Sequence, residues 1–194
     1  MRVIAGQFRS RALSAPPGLD TRPTSDRLRE TLFNVLAPRI SGAAFLDLYA
    51  GSGAVGIEAI SRGAARVAFV ERDPIAARTL RANLERLHIV QGFRLHAGSV
   101  KAFLQKRSSI ASPEPVPYEV VFLDPPWDAA AEYASTLNLL GGSAAAHLAP
   151  DALVIAEHRR KTTLEEKYGA LLRTRLLEQG DAALSFYAVE PPAL

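Results

Sequence analysis

The stretch Leu46–Ile60, "LDLYAGSGAVGIEAI", decides how this chain is built. Its first residues continue an apolar run that begins at Ala43, and its last are helix formers, so Gly51, Gly53 and Gly56 fall where a strand hands over to a helix. Glycines at such a junction let the backbone turn sharply and approach a ligand closely, and the helix N-terminus offers free N–H donors. Glu71 stands twenty residues after Gly51, at the end of the next apolar run. A carboxylate in that place accepts both hydroxyls of an adenosine ribose. The pattern predicts a site for an adenosine-containing cofactor.

Outward from this junction, strands and helices alternate. Apolar runs at 43–49, 66–71, 93–97, 119–124 and 152–157 read as strands, and helical patterns lie near 54–62, 74–87, 100–107 and 130–140. Asp73 and Pro74 form a cap and first-turn pair for one of them. Such alternation predicts a parallel sheet covered on both faces. The tail "LLRTRLLEQGDAALSFYAVE" reads as two strands turning at Gly180 and Asp181, an antiparallel hairpin that completes the sheet. Ahead of the main pattern, "RVIAGQFRSRAL" reads as a short hairpin and "SAPPGLDTRP" as a loop. A helix follows over "TSDRLRETLFNVLAP", capped by Thr24 or Ser25 and stopped by Pro38. Residues 1–40 are thus expected to form an extension and residues 41–194 the main domain.

Composition narrows the chemistry. A chain of 194 residues that is 48% hydrophobic can bury a substantial core. It has no cysteine, and His88, His96, His147 and His158 lack ligand spacing, so metal catalysis is not expected. No segment suggests a secretory signal or a membrane span, and the cytoplasm is the expected location. The net charge is +3. Residues 1–39 hold seven arginines against Asp20, Asp26 and Glu30, which is +4 by subtraction. An arginine-rich segment suits a polyanion such as nucleic acid, and a solvated surface is the plainer alternative.

The glycines alone do not choose between NAD and S-adenosylmethionine. Asp47 lies inside the first strand, four residues before Gly51, where it would repel a pyrophosphate. S-Adenosylmethionine carries an ammonium and a sulfonium instead, which an acid there suits. Asp47 can equally brace the loop through backbone N–H groups, and the two roles are compatible. Ser99, after the third strand, is placed either to touch an adenine edge or to cap a helix.

The fourth strand ends in "DPPW", Asp124–Trp127. Ligands in a doubly wound sheet sit beyond the carboxyl ends of the strands, so this turn projects into the same cleft as the glycine loop. Proline fixes φ and holds its predecessor extended, which presents the Asp124 carboxylate and the Pro125 carbonyl as two fixed acceptors beside the Trp127 ring. Two acceptors beside an aromatic plate match an exocyclic amine on a flat base. Accepting both N–H protons favours a pyramidal nitrogen whose lone pair can meet an electrophilic methyl.

"LDLYAGSGAVGIEA", "FVERD" and "FLDPPW" resemble the cofactor, ribose and catalytic motifs of class I S-adenosylmethionine-dependent amino-methyltransferases. "RVIAGQFRSRAL" and "RPTSDRLRETLFNVL" resemble, more narrowly, the bacterial 16S ribosomal RNA guanine-N2 methyltransferase family of the RsmD type. That resemblance implies an α/β Rossmann-like fold with a mostly parallel seven-stranded sheet, helices on both faces and a C-terminal antiparallel hairpin. It implies Asp124, Pro125, Pro126 and Trp127 as the catalytic tetrad, with Trp127 where tyrosine or phenylalanine is usual. Asp47, Tyr49, Gly51, Gly53, Glu71, Arg72 and Ser99 would line the cofactor site, and the helix around Thr24, Arg27 and Phe33 would lie over the methionine end. Arg9, Arg11, Arg22 and Arg27 would face RNA, either 16S ribosomal RNA or a small-subunit particle. A monomer is expected. The same fold acting on adenine N6 or a glutamine amide, or a non-catalytic RNA-binding assembly factor, are the competing readings.

Overall fold

A computed structural model describes residues 1–16, 25–106, 117–126 and 129–190. Thr24, Arg22 and Trp127 lie outside the described residues. In chain order the described elements are helix α1 (Asp26–Leu36), strand β1 (Ala44–Leu48), α2 (Ala54–Ser61), β2 (Arg66–Glu71), α3 (Pro74–Arg86), β3 (Phe93–Ala97), α4 (Val100–Gln105), β4 (Tyr118–Leu123) and α5 (Ala130–Leu140). A 3-10 turn, Ala145–His147, then leads into β5 (Leu148–Arg159), β6 (Lys167–Tyr168), β7 (Leu171–Gln179) and β8 (Ala182–Val189). None of the described helices is long and apolar enough to cross a membrane.

The strands make one sheet in the order β3-β2-β1-β4-β5-β8-β7-β6. β3, β2, β1, β4 and β5 are parallel, and β8, β7 and β6 join antiparallel. Chain order reverses between β1 and β4, where Leu48 pairs with Leu123, and this switch point opens the ligand cleft. The sheet has one strand more than the seven expected. Two-residue β6 is too short to carry a periodic signal, and it forms because Lys167 and Tyr168 fold back on Leu172 and Leu171. β5 also exceeds the expected 152–157, since pairing with β8 carries it through the polar residues His158 and Arg159, the latter opposite Ala182.

Period-two alternation sorts the strand residues between two cores. Phe45, Phe69, Phe122 and Phe186 face the layer of α1, α2 and α3. Leu46, Leu48, Val121, Leu123 and Val154 face the layer of α4 and α5. Burying each of these side chains contributes about 1.5–3 kcal/mol. Asp47 shares the face of Phe45, which aims its carboxylate at the start of α2.

The N-terminal residues share that first core. Val3, Leu13, Leu28, Leu32, Phe33 and Leu36 pack in the same cluster as Phe45 and Phe69. Ser25 caps α1, its hydroxyl accepting the Leu28 N–H at 3.1 Å. The hairpin closes through an antiparallel bridge between Arg2 and Ala12. Three of its backbone donors go to α2 side chains: the Glu58 carboxylate accepts the N–H groups of Ile4 at 2.7 Å and Ala5 at 3.0 Å, and the Ser61 hydroxyl accepts that of Phe8 at 3.0 Å. Glu58 is fully buried and also meets the Arg62 guanidinium at 2.7 Å and that of buried Arg29 at 3.9 Å. Truncating one partner of such a buried ion network costs several kcal/mol because a charge is left unmatched.

Candidate active site

The carboxyl ends of β1, β2 and β4 surround a cleft of about 1160 Å³. The glycine loop forms its floor. Gly53 takes φ +80 as the residue before α2, and its close neighbour Leu80 leaves no room for a side chain. At Gly56 an added Cβ would fall 2.2 Å from the Phe69 ring, so the first turn of α2 lies directly against β2. No side chain caps α2, and Ala54 and Val55 at its start line the cleft.

Two carboxylates brace this loop from below. Asp47 Oδ2 accepts the Gly56 N–H at 2.9 Å, the bracing role that sequence left open beside the cationic-ligand role. Asp47 is 2% exposed, and burial pushes its carboxyl up to about 7, the Gly56 hydrogen bond opposing and the nearby Glu71 charge adding to the rise. Glu71 Oε2 accepts the Gly51 N–H and Oε1 the Asp73 N–H, each at 2.7 Å. Each ionised carboxylate oxygen has a second lone-pair direction for a ligand hydroxyl.

Tyr49 enters the loop at φ +63, and its hydroxyl donates to Glu132 Oε2 at 2.9 Å and lies 2.7 Å from Thr136 Oγ1. Burial pushes its phenol well above the usual range. Arg72 Nη1 lies 3.7 Å from Glu132 Oε1. Tyr49, Arg72 and Glu132 therefore tie the ends of β1 and β2 to α5, the helix that comes after Asp124, Pro125 and Pro126 in the chain. Ser99 lines the cleft but spends its hydroxyl on capping α4, where it accepts the Ala102 N–H at 3.2 Å. Asp124, Pro125 and Pro126 line the cleft opposite the glycine loop, and the Pro125 carbonyl has the Tyr133 hydroxyl 3.5 Å away.

Several expected residues lie elsewhere. Phe33 does not cover the cleft: it is fully buried, stacked on Phe45 at 6.3 Å with the Arg62 guanidinium over its ring. The apolar stripe of α1 claims it, because Leu28, Leu32 and Leu36 bury the same helix face. Arg9, Arg11 and Arg27 are exposed and none of them lines the cleft. The hairpin turn before Arg9 is anchored at Ser61, the last residue of α2, ~12 Å along the helix axis from the glycine loop.

Three contributors were not singled out in the sequence. Asn83 donates through Nδ2 to the carbonyls of Ser14 and Ser52, each at 3.0 Å, and its Oδ1 accepts the Ser14 N–H at 2.8 Å, which joins the N-terminal segment to the glycine loop. Its signal was a polar residue on the apolar stripe of α3, beside Leu80 and Leu84. Glu58 gave the same kind of signal within "AVGIEAI". Glu132 gave none, because its partners Tyr49 and Arg72 come from distant strands.

A family model described as conserved hypothetical protein 95 matches residues 1–188. The chain is 35% identical over 187 residues to the Bacillus subtilis protein named "Putative rRNA methyltransferase YlbH", covering 96% of this chain and 98% of that one. It is 40% identical over 157 residues to ribosomal RNA small subunit methyltransferase D of Escherichia coli, covering 81% of this chain and 74% of that one. A solved structure described as "Putative methyltransferase yhhF from Escherichia coli" matches with a TM-score of 0.83 at 34% identity, covering 98% of each chain.

Proposed function

The chain belongs to the conserved hypothetical protein 95 family, the family of ribosomal RNA small subunit methyltransferase D, and on that footing we propose that it methylates the exocyclic N2 amine of a guanine in 16S ribosomal RNA, with S-adenosylmethionine as donor. The observation that carries the proposal is one shared cleft. Asp124 follows β4, the glycine loop follows β1, and the two strands are neighbours paired to their last residues, Leu123 and Leu48. The groups proposed to hold the cofactor and those proposed to hold the amine therefore line a single cleft.

The residues present fit this cofactor. Glu71 offers acceptors for ribose hydroxyls, the start of α2 offers close backbone contact, and Asp47 offers negative charge for an ammonium. The cofactor supplies an electrophilic methyl group when bound. The chain supplies position and electrostatics. Asp124 and the Pro125 carbonyl accept the two N–H protons of the guanine amine, which turns its lone pair toward the donor side. Positive charge that develops on that nitrogen is stabilised by the Asp124 carboxylate, which is held at fixed distance by two prolines. The guanine leaves its stack to enter, and stacking on Trp127 returns ~1–3 kcal/mol.

The test is transfer of labelled methyl from S-adenosylmethionine to small ribosomal subunits from cells lacking this protein, followed by nucleoside analysis. Label in N2-methylguanosine is the expected result. Label in another nucleoside or in protein would overturn the guanine assignment while keeping the methyl-transfer reading.

A further inference from the structure

We propose that the basic turn Arg159–Arg160–Lys161, at the carboxyl end of β5, binds the phosphates that flank the nucleotide whose base enters the cleft. The inference rests on the reading of the substrate as RNA. β5 runs parallel to β4, with Ala156 opposite Leu123. β5 continues past that pair to Arg159, so it ends at the same edge of the sheet as the segment that follows β4. Arg159 lines the cleft together with Asp124, Pro125 and Pro126. Arg160 and Lys161 follow it in an exposed turn.

The turn is pre-formed. The Arg160 N–H donates to the Asp181 carbonyl and the Thr162 N–H to the Arg159 carbonyl, each at 2.8 Å. Buried His158 places Nδ1 2.9 Å from the Arg159 carbonyl and Nε2 2.9 Å from Ser185 Oγ. Burial holds this imidazole below its ordinary value, so the neutral ring donates from Nδ1 to the carbonyl and accepts at Nε2.

Charge separation across the mouth gives the turn its role. A base that swings out of its stack stays attached to its sugar, so the phosphates on either side stop at the mouth of the pocket that takes the base. Asp124 in that cleft accepts an amine and repels phosphate, whereas three consecutive cations that begin at Arg159 and continue outward in the exposed turn attract phosphate. Arginine presents a fork matched to phosphate oxygens, and lysine adds a mobile charge. The two signs together favour the base inward and the backbone outward.

The test uses the full chain with Arg160→Ala and Lys161→Ala combined, leaving Arg159 in place because it lines the cleft. Steady-state transfer to small subunits is measured across salt concentrations, with S-adenosylhomocysteine affinity and melting temperature measured alongside. The expected result is a KM raised about tenfold or more with kcat, cofactor affinity and melting temperature retained, and a slope of log affinity against log salt shallower by about 1.4–1.8 for two lost phosphate contacts. The combined Arg160→Glu and Lys161→Glu variant deepens the loss. An active wild type whose KM and salt slope do not change in either variant overturns the phosphate-binding role alone. A wild type that places no label in RNA overturns the RNA reading and this role with it.

Discussion

Glu71 Oε2 accepts the Gly51 N–H at 2.7 Å, so the carboxylate expected to hold the ribose also holds the first glycine of the loop beneath it. Glu71→Gln puts an amide NH2 where one acceptor stood, and either the Gly51 or the Asp73 N–H loses its partner. Leaving such a donor unmatched costs about 1–3 kcal/mol, which corresponds to a roughly 5- to 150-fold loss of affinity where it falls on the bound loop. Calorimetric titration with S-adenosylhomocysteine reads it. An unchanged Kd removes Glu71 from the site.

Asp47 makes the ligand-free protein sensitive to pH. Its carboxyl titrates near 3.8 when unfolded and at about 7 when folded. Between these values the folded chain holds a proton that the unfolded chain has released, so this group's contribution to stability falls as pH rises from about 4 to about 7 and is flat above. A cationic ligand favours the ionised form, so S-adenosylmethionine affinity rises with pH and levels off above 7, being about tenfold weaker at pH 6 than on the plateau. Asp47→Asn removes both trends, which thermal melts and titrations across this range compare. Identical pH dependence in the variant excludes Asp47 as their source.

Asp124→Ala deletes an acceptor for the substrate amine and leaves the glycine loop intact. Methyl transfer falls by about 10²–10³-fold or more, while S-adenosylhomocysteine affinity is retained. Single-turnover transfer and equilibrium binding on the same preparation separate the two. Wild-type turnover in the variant would remove Asp124 from the chemistry.

Asn83→Ala strands the Ser52 carbonyl and both backbone groups of Ser14. The expected loss is about 2–3 kcal/mol, or roughly 4–12 °C in melting temperature for a domain of this size. Cofactor affinity falls with it, because Ser52 sits between Gly51 and Gly53. A full melting temperature in the variant would mean that other contacts hold the N-terminal segment to the loop.

Local sequence determined much of this protein. Strand–helix alternation fixed the parallel sheet, because an element buried on both faces reads as a nearly continuous apolar run, as β1 and β4 do apart from Asp47 and Glu119. The placement of the glycines after β1, of Glu71 at the end of β2 and of Asp124 after β4 was legible because it depends on local backbone geometry at the carboxyl end of a strand. The C-terminal hairpin turned at Gly180 and Asp181 as read, between β7 and β8.

Tertiary structure alone decided which side chains meet. The family resemblance implies that Phe33 lies over the methionine end of the cofactor, and only packing against Phe45 assigns it to the core. Asn83 and Glu58 look like interruptions of apolar stripes until the N-terminal segment brings them backbone partners more than fifty positions away. Arg159 reads as one charge in a polar run until the parallel pairing of β5 with β4 brings it to the cleft that Asp124, Pro125 and Pro126 line. Each of these relationships is set by strand order and helix docking, which depend on burial summed over the whole sheet and leave no periodic trace in the neighbouring residues.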